Sequence, residues 1–592
     1  METLSKSGFA MSRKATLVII AGLVLLAFTA WPARANGDEI TLTLIGQVVN
    51  TGGEPIPEAA VRVLLGNQEH PILVEGRLVD AIHTGDDGLF VADVPLSAAQ
   101  MTEIKAGQAQ LVVEATKAGY RQTRAVVIPD ALHWEGAQAF ARLPDIALPN
   151  LFNAAFYIAT ITFMAMFVLI AFHVLHDTLA AFLGATVMLG VSHTVGTFNP
   201  DFRILSFERA VEFIDFDVIF LIMTLMILMA VIGRTGVFQW LALAAYRAAR
   251  GDAWRLAVIL MAATAVLSAF LNNVTIMLLM APVTIEIALI LGINPVALII
   301  PEALAAEVGG TATLIGDPPN TVIGSFADLG FNQFLIHMGP VALIGTIVLL
   351  AVIYLIYRRD YAAARKAPSP APLARLEKDA QITDPLTLKR SLLVVGVMMA
   401  LFFASEQLGM PPSVVGFIGA TALLVWVRPN VEQMLSEVDW TTLVFFMSLF
   451  MVVGGVQEVG LIQWIADLIA GIAGTDLFVA SQAVLWLSAV ASAIVNNIPF
   501  TTAALPIAAF LTRTVPGAGN NVLYWSLSLG ANMGGNATYI GSAPNVVAVG
   551  ILDRAGYRVT FVDWLKVGIP VTFATVLVPT IWLWIRYFWL KF

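Results

Sequence analysis

The sequence predicts an α-helical polytopic membrane protein: two inverted repeats with re-entrant hairpins and broken helices, preceded by a small β-sandwich domain. Three observations predict it. Of the 592 residues, 58% are hydrophobic and 12% charged, where a soluble domain averages about 25% charged. Residues 40–145 read instead as short alternating runs between turns. The rest of the chain repeats itself at a nearly fixed offset. The net charge of −9 is modest for this length, and no nucleic acid partner is expected. With no cysteine, the chain has no disulfide, thiolate metal site or cysteine nucleophile.

Residues 1–35 read as a secretory signal, or alternatively as an uncleaved anchor helix. Lys6, Arg13 and Lys14 give a positive start, Ala15 to Ala30 an apolar stretch, and Ala33-Arg34-Ala35 a cleavage site. Either reading puts the next segment outside the cytoplasm.

In residues 40–145, alternating runs such as Thr41-Leu42-Thr43-Leu44 and Val61-Arg62-Val63 alternate with turn clusters such as Gly85-Asp86-Asp87-Gly88. The pattern predicts a small antiparallel β-sandwich. Gly46-Gln47-Val48-Val49, Pro55-Ile56-Pro57, Asp87-Gly88-Leu89-Phe90 and Gly119-Tyr120 make the segment resemble a carboxypeptidase-regulatory-like (transthyretin-like) domain. That resemblance implies a structural or interaction module.

From Leu151 onward the chain reads as membrane. Apolar stretches near 151–172, 178–196, 217–236, 295–330, 333–357, 391–409, 413–428, 441–457, 521–550 and 565–585 have the length that crosses about 30 Å of hydrocarbon. Two more blocks, 254–291 and 482–512, are interrupted by asparagine pairs and read as re-entrant hairpins, with tips at Asn272–Thr275 and Asn496–Pro499. The linker 358–390 carries Arg358, Arg359, Arg365, Lys366, Arg375, Lys378, Lys389 and Arg390, which predicts a cytoplasmic location. It separates a first transport repeat, 151–357, from a second, 391–592. Counting crossings from an external β-domain leads to the same side.

The repeat is the strongest signal. Asp215, Gly236, Gln239-Trp240, Asn272-Asn273 and Pro282 match Asp439, Gly460, Gln463-Trp464, Asn496-Asn497 and Pro506 at an offset of 224. Gly309 to Gly316 then matches Gly534 to Gly541, and Pro319-Asn320 matches Pro544-Asn545, at 225. By the crossing count Asp215 lies outside and Asp439 inside, so the halves are inverted. Inverted repeats with broken helices at the midplane characterise secondary transporters.

The matched segments suit such a site. Asparagine pairs in apolar blocks are costly unless they face protein or water. Gly309-Gly310 and Gly316-Asp317-Pro318-Pro319-Asn320 cannot continue a regular helix. Irregular backbone at membrane depth survives only where it is buried or lines a cavity. Glu302, Glu307 and Asp317 lie in or beside the broken helix and are candidates for carrying a proton or a cation. His173, His176 and His193 fall near helix ends, where interfacial solvation explains them. Arg234 reads as a topology anchor, and Glu406 and Glu458 as external.

The run Ser268 to Thr275, then Pro301-Glu302, then Gly309 to Asn320 resembles the ion-transporter superfamily. That group holds the P (pink-eyed dilution) protein, arsenite permeases, NhaD-type sodium/proton antiporters and the citrate-transporter-like divalent-anion/sodium symporters. The resemblance covers roughly residues 151–592, and the β-domain in front resembles the P-protein-like branch most. It implies binding of the ion or substrate by Asn272, Asn273, Thr275, Asn496, Asn497 and Thr501 at the hairpin tips. The broken helices would add Thr311, Thr313, Asn536 and Thr538. Glu307, Asp317, Asn320, Asn532 and Asn545 complete the candidate set, with sodium expected at Asn272, Asn273, Glu307, Asn496 and Asn497. Two features depart from P-like relatives. Each tip reads Asn-Asn where many have Asp-Asn, and Glu307 replaces an asparagine that its repeat-mate Asn532 retains.

The resulting expectation is a secondary active transporter of small ions or anions, coupled to sodium or protons and working by alternating access in a bacterial-type inner membrane. The alternatives are an anion channel on the same scaffold and a membrane sensor with a ligand-reading β-domain. No hydrolytic motif or Walker loop is visible, so no enzyme is expected, and no cofactor beyond a bound sodium ion or proton. Symporter relatives imply a homodimer.

Overall fold

The structure is a computed structural model that describes residues 40–66, 68–74, 77–106, 108–117, 119–128, 132–135, 138–172, 174–364, 381–465 and 476–590. The expected signal at 1–35, His173 and the linker stretch 365–380 lie outside the described residues. The chain divides into two units, one ending at Phe152 and the other beginning at Asn153.

The first unit holds a seven-stranded and a five-stranded sheet. Period-two alternation puts Leu42 and Leu44 of the strand Ile40–Asn50 inside, with Val61, Val63, Phe90, Ala92, Val94 and Val113. Gly88, at φ +71°, makes the turn before the strand Leu89–Leu96, and a Cβ there would lie 2.5 Å from the Val48 carbonyl oxygen. The expected all-antiparallel arrangement needs correction. Ile40–Asn50 pairs antiparallel with Leu89–Leu96, but parallel with Gln138–Arg142 and Ile146–Leu148. The chain passes through the other sheet between these strands and returns running in the same direction. Side-chain alternation is the same in both pairings, so the sequence does not distinguish them. One helix, α1 (Ala98–Lys105), was not expected; a capping box of Ser97 and Gln100 starts it.

The second unit is helical. α2 (Ala154–Ala171) and α3 (Asp177–His193) lead into α4 (Phe207–Glu212), α5 (Phe216–Gly233), α6 (Val237–Ala249), α7 (Ala253–Ser268) and α8 (Asn273–Leu291). The broken helix follows as α9 (Val296–Gly310) and α10 (Pro318–Ala327), then the long α11 (Phe331–Ala362). α12 (Pro385–Leu408), α13 (Pro412–Val427), α14 (Val431–Ser436), α15 (Trp440–Glu458), α16 (Leu477–Ile494), α17 (Asn497–Thr514), α18 (Val522–Gly534), α19 (Ala543–Arg554) and α20 (Phe561–Leu583) follow. Nine helices among the described residues are long and apolar enough to cross a bilayer.

The repeat offset carries into the helices. α4 and α14 start at positions offset by 224, as do α5 and α15, α7 and α16, and α8 and α17; α10 and α19 are offset by 225. Asp215 and Asp439 are the equivalent N-caps of α5 and α15, accepting from Val218 N and Thr442 N at 3.1 Å each. The repeats also exchange partners: α3 packs on α15, and α13 packs on α5. α12 starts at Pro385 rather than near 391, because Asp384 caps it and a proline suits the first turn.

Glycines set the closest crossings. A Cβ on Gly309 would lie 2.2 Å from the Ala265 carbonyl oxygen, and one on Gly534 2.4 Å from that of Ala489. The broken helices thus sit directly against the backbones of α7 and α16.

Candidate functional site

The breaks form where the sequence denies a helix its next turn. α9 ends at Gly310, and α10 restarts with Pro318 at its first position, leaving residues 311–317 irregular. The second break falls between Gly534 and Ala543, with a short 3-10 turn at Gly535–Ala537. Asn320 satisfies the first break: its Nδ2 donates to the carbonyls of Thr311 (3.1 Å) and Thr313 (2.8 Å). Its Oδ1 accepts from Ser528 Oγ (2.6 Å) and Asn532 Nδ2 (2.7 Å). The equivalent Asn545 donates to Gly535 O (3.2 Å) and to Asn536 Oδ1 (3.3 Å).

Each hairpin is tied to its own break at two equivalent points. Ser268 Oγ donates to Ala306 O and Ser492 Oγ to Ala531 O, both at 2.6 Å. Thr313 donates to the Ala269 carbonyl, and Thr538 Oγ1 to Ala493 O at 2.7 Å. Thr311 Oγ1 turns back to Glu307 O at 3.0 Å, and Asn536 Nδ2 donates to Leu304 O at 3.2 Å.

The asparagine pairs divide their work. Asn272 and Asn496 are N-caps, accepting from Thr275 N (3.2 Å) and Ile498 N (3.1 Å). Asn273 and Asn497 reach the carboxylates. Asn273 Nδ2 donates to Glu307 Oε2 at 3.4 Å and Asp317 Oδ1 at 3.2 Å. From the other hairpin, Asn497 Nδ2 donates to Glu307 Oε1 at 2.6 Å and Asp317 Oδ2 at 3.4 Å. Ser542 Oγ completes the cluster with a 2.5 Å bond to Glu307 Oε2. Ser542 was missed from the sequence, although at an offset of 225 it is the repeat-mate of Asp317 and could have been found by extending the register.

Of the expected sodium set, Asn273, Asn497 and Glu307 therefore meet at one point, while Asn272 and Asn496 hold the hairpin tips. Thr501 is fully buried with no partner for its hydroxyl. Asn532 also leaves its Oδ1 without a partner. Glu307 is fully buried and Asp317 is 2% exposed, and no lysine, arginine or histidine is buried among the described residues. Two carboxylates thus share their donors with no fixed positive charge beside them. Such a centre suits a proton or a small hard cation.

Two cavities lie at opposite helix ends, one of them reaching the cluster. One, of about 280 Å³, is lined by Asn272, Asn273, Thr275, Asp317, Asn497 and Asp439. The other, of about 270 Å³, is lined by Asp215, Phe213, Phe450, Val453 and Thr502. The repeat relates them: Asp439 matches Asp215, Met226 matches Phe450, and Leu278 matches Thr502, the first of each pair lining the first cavity and its mate the second. They differ in depth, since only the first reaches a carboxylate of the pair. Where the first has Glu437, the second has Phe213, which packs so closely that a Cβ on Gly454 would lie 2.3 Å from its ring.

The end of the linker lies beside the first cavity. Thr383 N donates to Thr235 O at 2.9 Å and Thr383 Oγ1 to Arg234 O at 3.0 Å. Arg234 pairs in turn with Glu437, a lining residue, and donates to Gln433 at 3.0 Å. At the opposite ends Arg209 pairs with Glu458 at 2.7 Å. The two contacts are repeat-related, Arg209 standing for Gln433 and Glu458 for Arg234.

Comparison with known proteins finds relatives over most of the chain. An uncharacterized transporter of Mycobacterium bovis is 35% identical over 436 residues, covering 73% of this chain and 98% of that protein. The human P protein is 31% identical over 489 residues, covering 70% of this chain and 58% of that protein. The YdaH transporter structure from Alcanivorax borkumensis aligns with a TM-score of 0.47 at 14% identity, over 70% of this chain and 99% of that one. The citrate transporter family (CitMHS) matches residues 167–530. The chain is a transporter of the citrate transporter family.

Proposed function

We propose that this protein is a secondary active transporter that couples movement of a small anion to a proton or sodium ion bound between Glu307 and Asp317. The carrying observation is the fully buried Glu307, which receives donors from both hairpins and faces Asp317 with no buried basic residue nearby. A free anion alone would meet like charge there; a bound cation or proton neutralises it first. That order of binding is the physical basis of coupling.

Alternating access is supported by the unequal cavities. The one beside the linker reaches Asp317, and its repeat-mate is stopped by Phe213 against Gly454. With the linker cytoplasmic by its basic residues, this is the inward-open arrangement. Exchange of the two halves' conformations produces the outward-open one. The β-domain belongs on the extracytoplasmic side of a bacterial-type inner membrane.

The test is uptake of radiolabelled citrate into proteoliposomes under an imposed proton or sodium gradient. Accumulation above the external concentration supports coupled transport. A citrate current that follows voltage and ignores both gradients would indicate a channel and overturn the proposal, as would the absence of any flux.

A further inference from the structure

A third carboxylate lies apart from the central cluster. Glu302 sits on α9, fully buried among α7 and α8. Thr264 Oγ1 on α7 donates to its Oε1 at 3.2 Å and lies 3.9 Å from Met280 Sδ. Thr284 of α8 lies alongside. Yet Glu302 Oε2 and Thr284 Oγ1 both lack a hydrogen-bond partner, and both residues are 0% exposed. Buried polar atoms are nearly always paired, and the Thr284 hydroxyl can satisfy one Glu302 oxygen by itself; what stays unmatched is the buried negative charge, which calls for a positive occupant.

The surroundings narrow what that occupant is. None of the elements packed on α9 brings a charge to Glu302. On α7, Arg255 is at the exposed N-terminal end; on α8, Glu286 is exposed. On α11, His337 precedes the buried run Val341, Ala342, Gly345 and Leu349, and Arg358 and Arg359 lie beyond it. On α19, Asp553 and Arg554 are exposed at the C-terminal end. Glu302 lines neither cavity. Four side-chain oxygens and a thioether are too few for a hard cation, which takes about six oxygen ligands. A proton needs only two oxygens. The fold does not require the carboxylate, since the equivalent positions in the second repeat are Ser488, Leu527 and Ala508.

We propose that Glu302 is a second proton-binding site, independent of Glu307 and Asp317, in which the protonated acid and the Thr284 hydroxyl satisfy one another inside the first hairpin. A bare carboxylate near the bilayer centre costs at least ~2.5 kcal/mol on insertion scales, and the proton removes that charge. The site belongs to one repeat only, so it is a feature of the first half rather than of the pseudo-symmetric scaffold.

Infrared difference spectroscopy on the full-length protein in lipid tests this directly. The expected result is a carbonyl band of a protonated carboxylic acid that persists in the double variant Glu307→Gln/Asp317→Asn. It disappears in Glu302→Gln and shifts in frequency in Glu302→Asp. A spectrum in which Glu302→Gln retains the band unchanged would overturn the proposal, as would loss of the band in the double variant alone. Should Glu302→Gln fail to insert, Glu302→Leu, which copies the second repeat, supplies the same comparison. Thermal unfolding gives a second reading: Glu302→Gln should gain stability over the parent as pH rises, because the amide has no proton to lose. An unchanged difference across pH would contradict an exchangeable proton.

Discussion

Asn273 and Asn497 hold the same place in the two repeats and donate to opposite oxygens of one carboxylate, Glu307: to Oε2 at 3.4 Å and to Oε1 at 2.6 Å. A single acid from the first half thus joins both hairpins. Any movement of one hairpin relative to the other must stretch or replace one of these bonds, which is how the proposed coupling ion at Glu307 would act on the arrangement of the halves.

The unequal lengths give a ranking. Asn497→Ala removes the shorter bond to Glu307 and should lower stability by about 1–3 kcal/mol, the cost of leaving a buried polar group unpaired. Asn273→Ala should cost less. Thermal unfolding of both variants in detergent checks the order, and a larger loss in Asn273→Ala would show that the two bonds are not ranked by their geometry.

Close packing predicts a matched pair of defects. Gly309→Ala and Gly534→Ala each press a Cβ into a helix backbone that cannot rotate away, at 2.2 Å from Ala265 O and 2.4 Å from Ala489 O. Overpacking of this kind costs about 1–3 kcal/mol or more. Both variants should unfold at lower temperature than the parent. Parent-like unfolding of either one would mean that the hairpin is not held against its break.

Much of this architecture was legible in the sequence because its interruptions repeat. Asn272-Asn273 recurs at an offset of 224 and Gly309 to Asn320 at 225, which locates both hairpins and both breaks. What could not be read was which partners meet. The expected sodium set joins Glu307 to both asparagine pairs without ranking them, and its shortest asparagine bond is to Asn497, 190 residues away. That contact depends on how two helical layers pack across the repeats, and no local pattern encodes it. Asn320 looked like a ligand, and its amide is taken up by the carbonyls of its own break. The parallel strand pairs of the β-domain were hidden for a similar reason, since alternation is blind to strand direction.

The repeat-related cavities predict opposite sidedness for one pair of positions. The chain has no native cysteine, so Leu278→Cys and Thr502→Cys each place a single thiol in one cavity. A membrane-impermeant thiol reagent should label residue 278 from the linker side and residue 502 from the other. Citrate with the coupling ion should change the two rates in opposite directions. Labelling of both positions from one face would contradict the inverted arrangement.

Glu307 is the residue proposed to bind the coupling ion. Its repeat-mate Asn532 is fully buried at the equivalent place, so the fold accepts an amide there. The most direct measurement is citrate uptake into proteoliposomes by the parent protein and by Glu307→Gln, across a series of imposed proton and sodium gradients. Glu307→Gln should fold, insert and lose the gradient dependence that the parent shows. Uptake by Glu307→Gln that responds to the gradients as the parent does would contradict it.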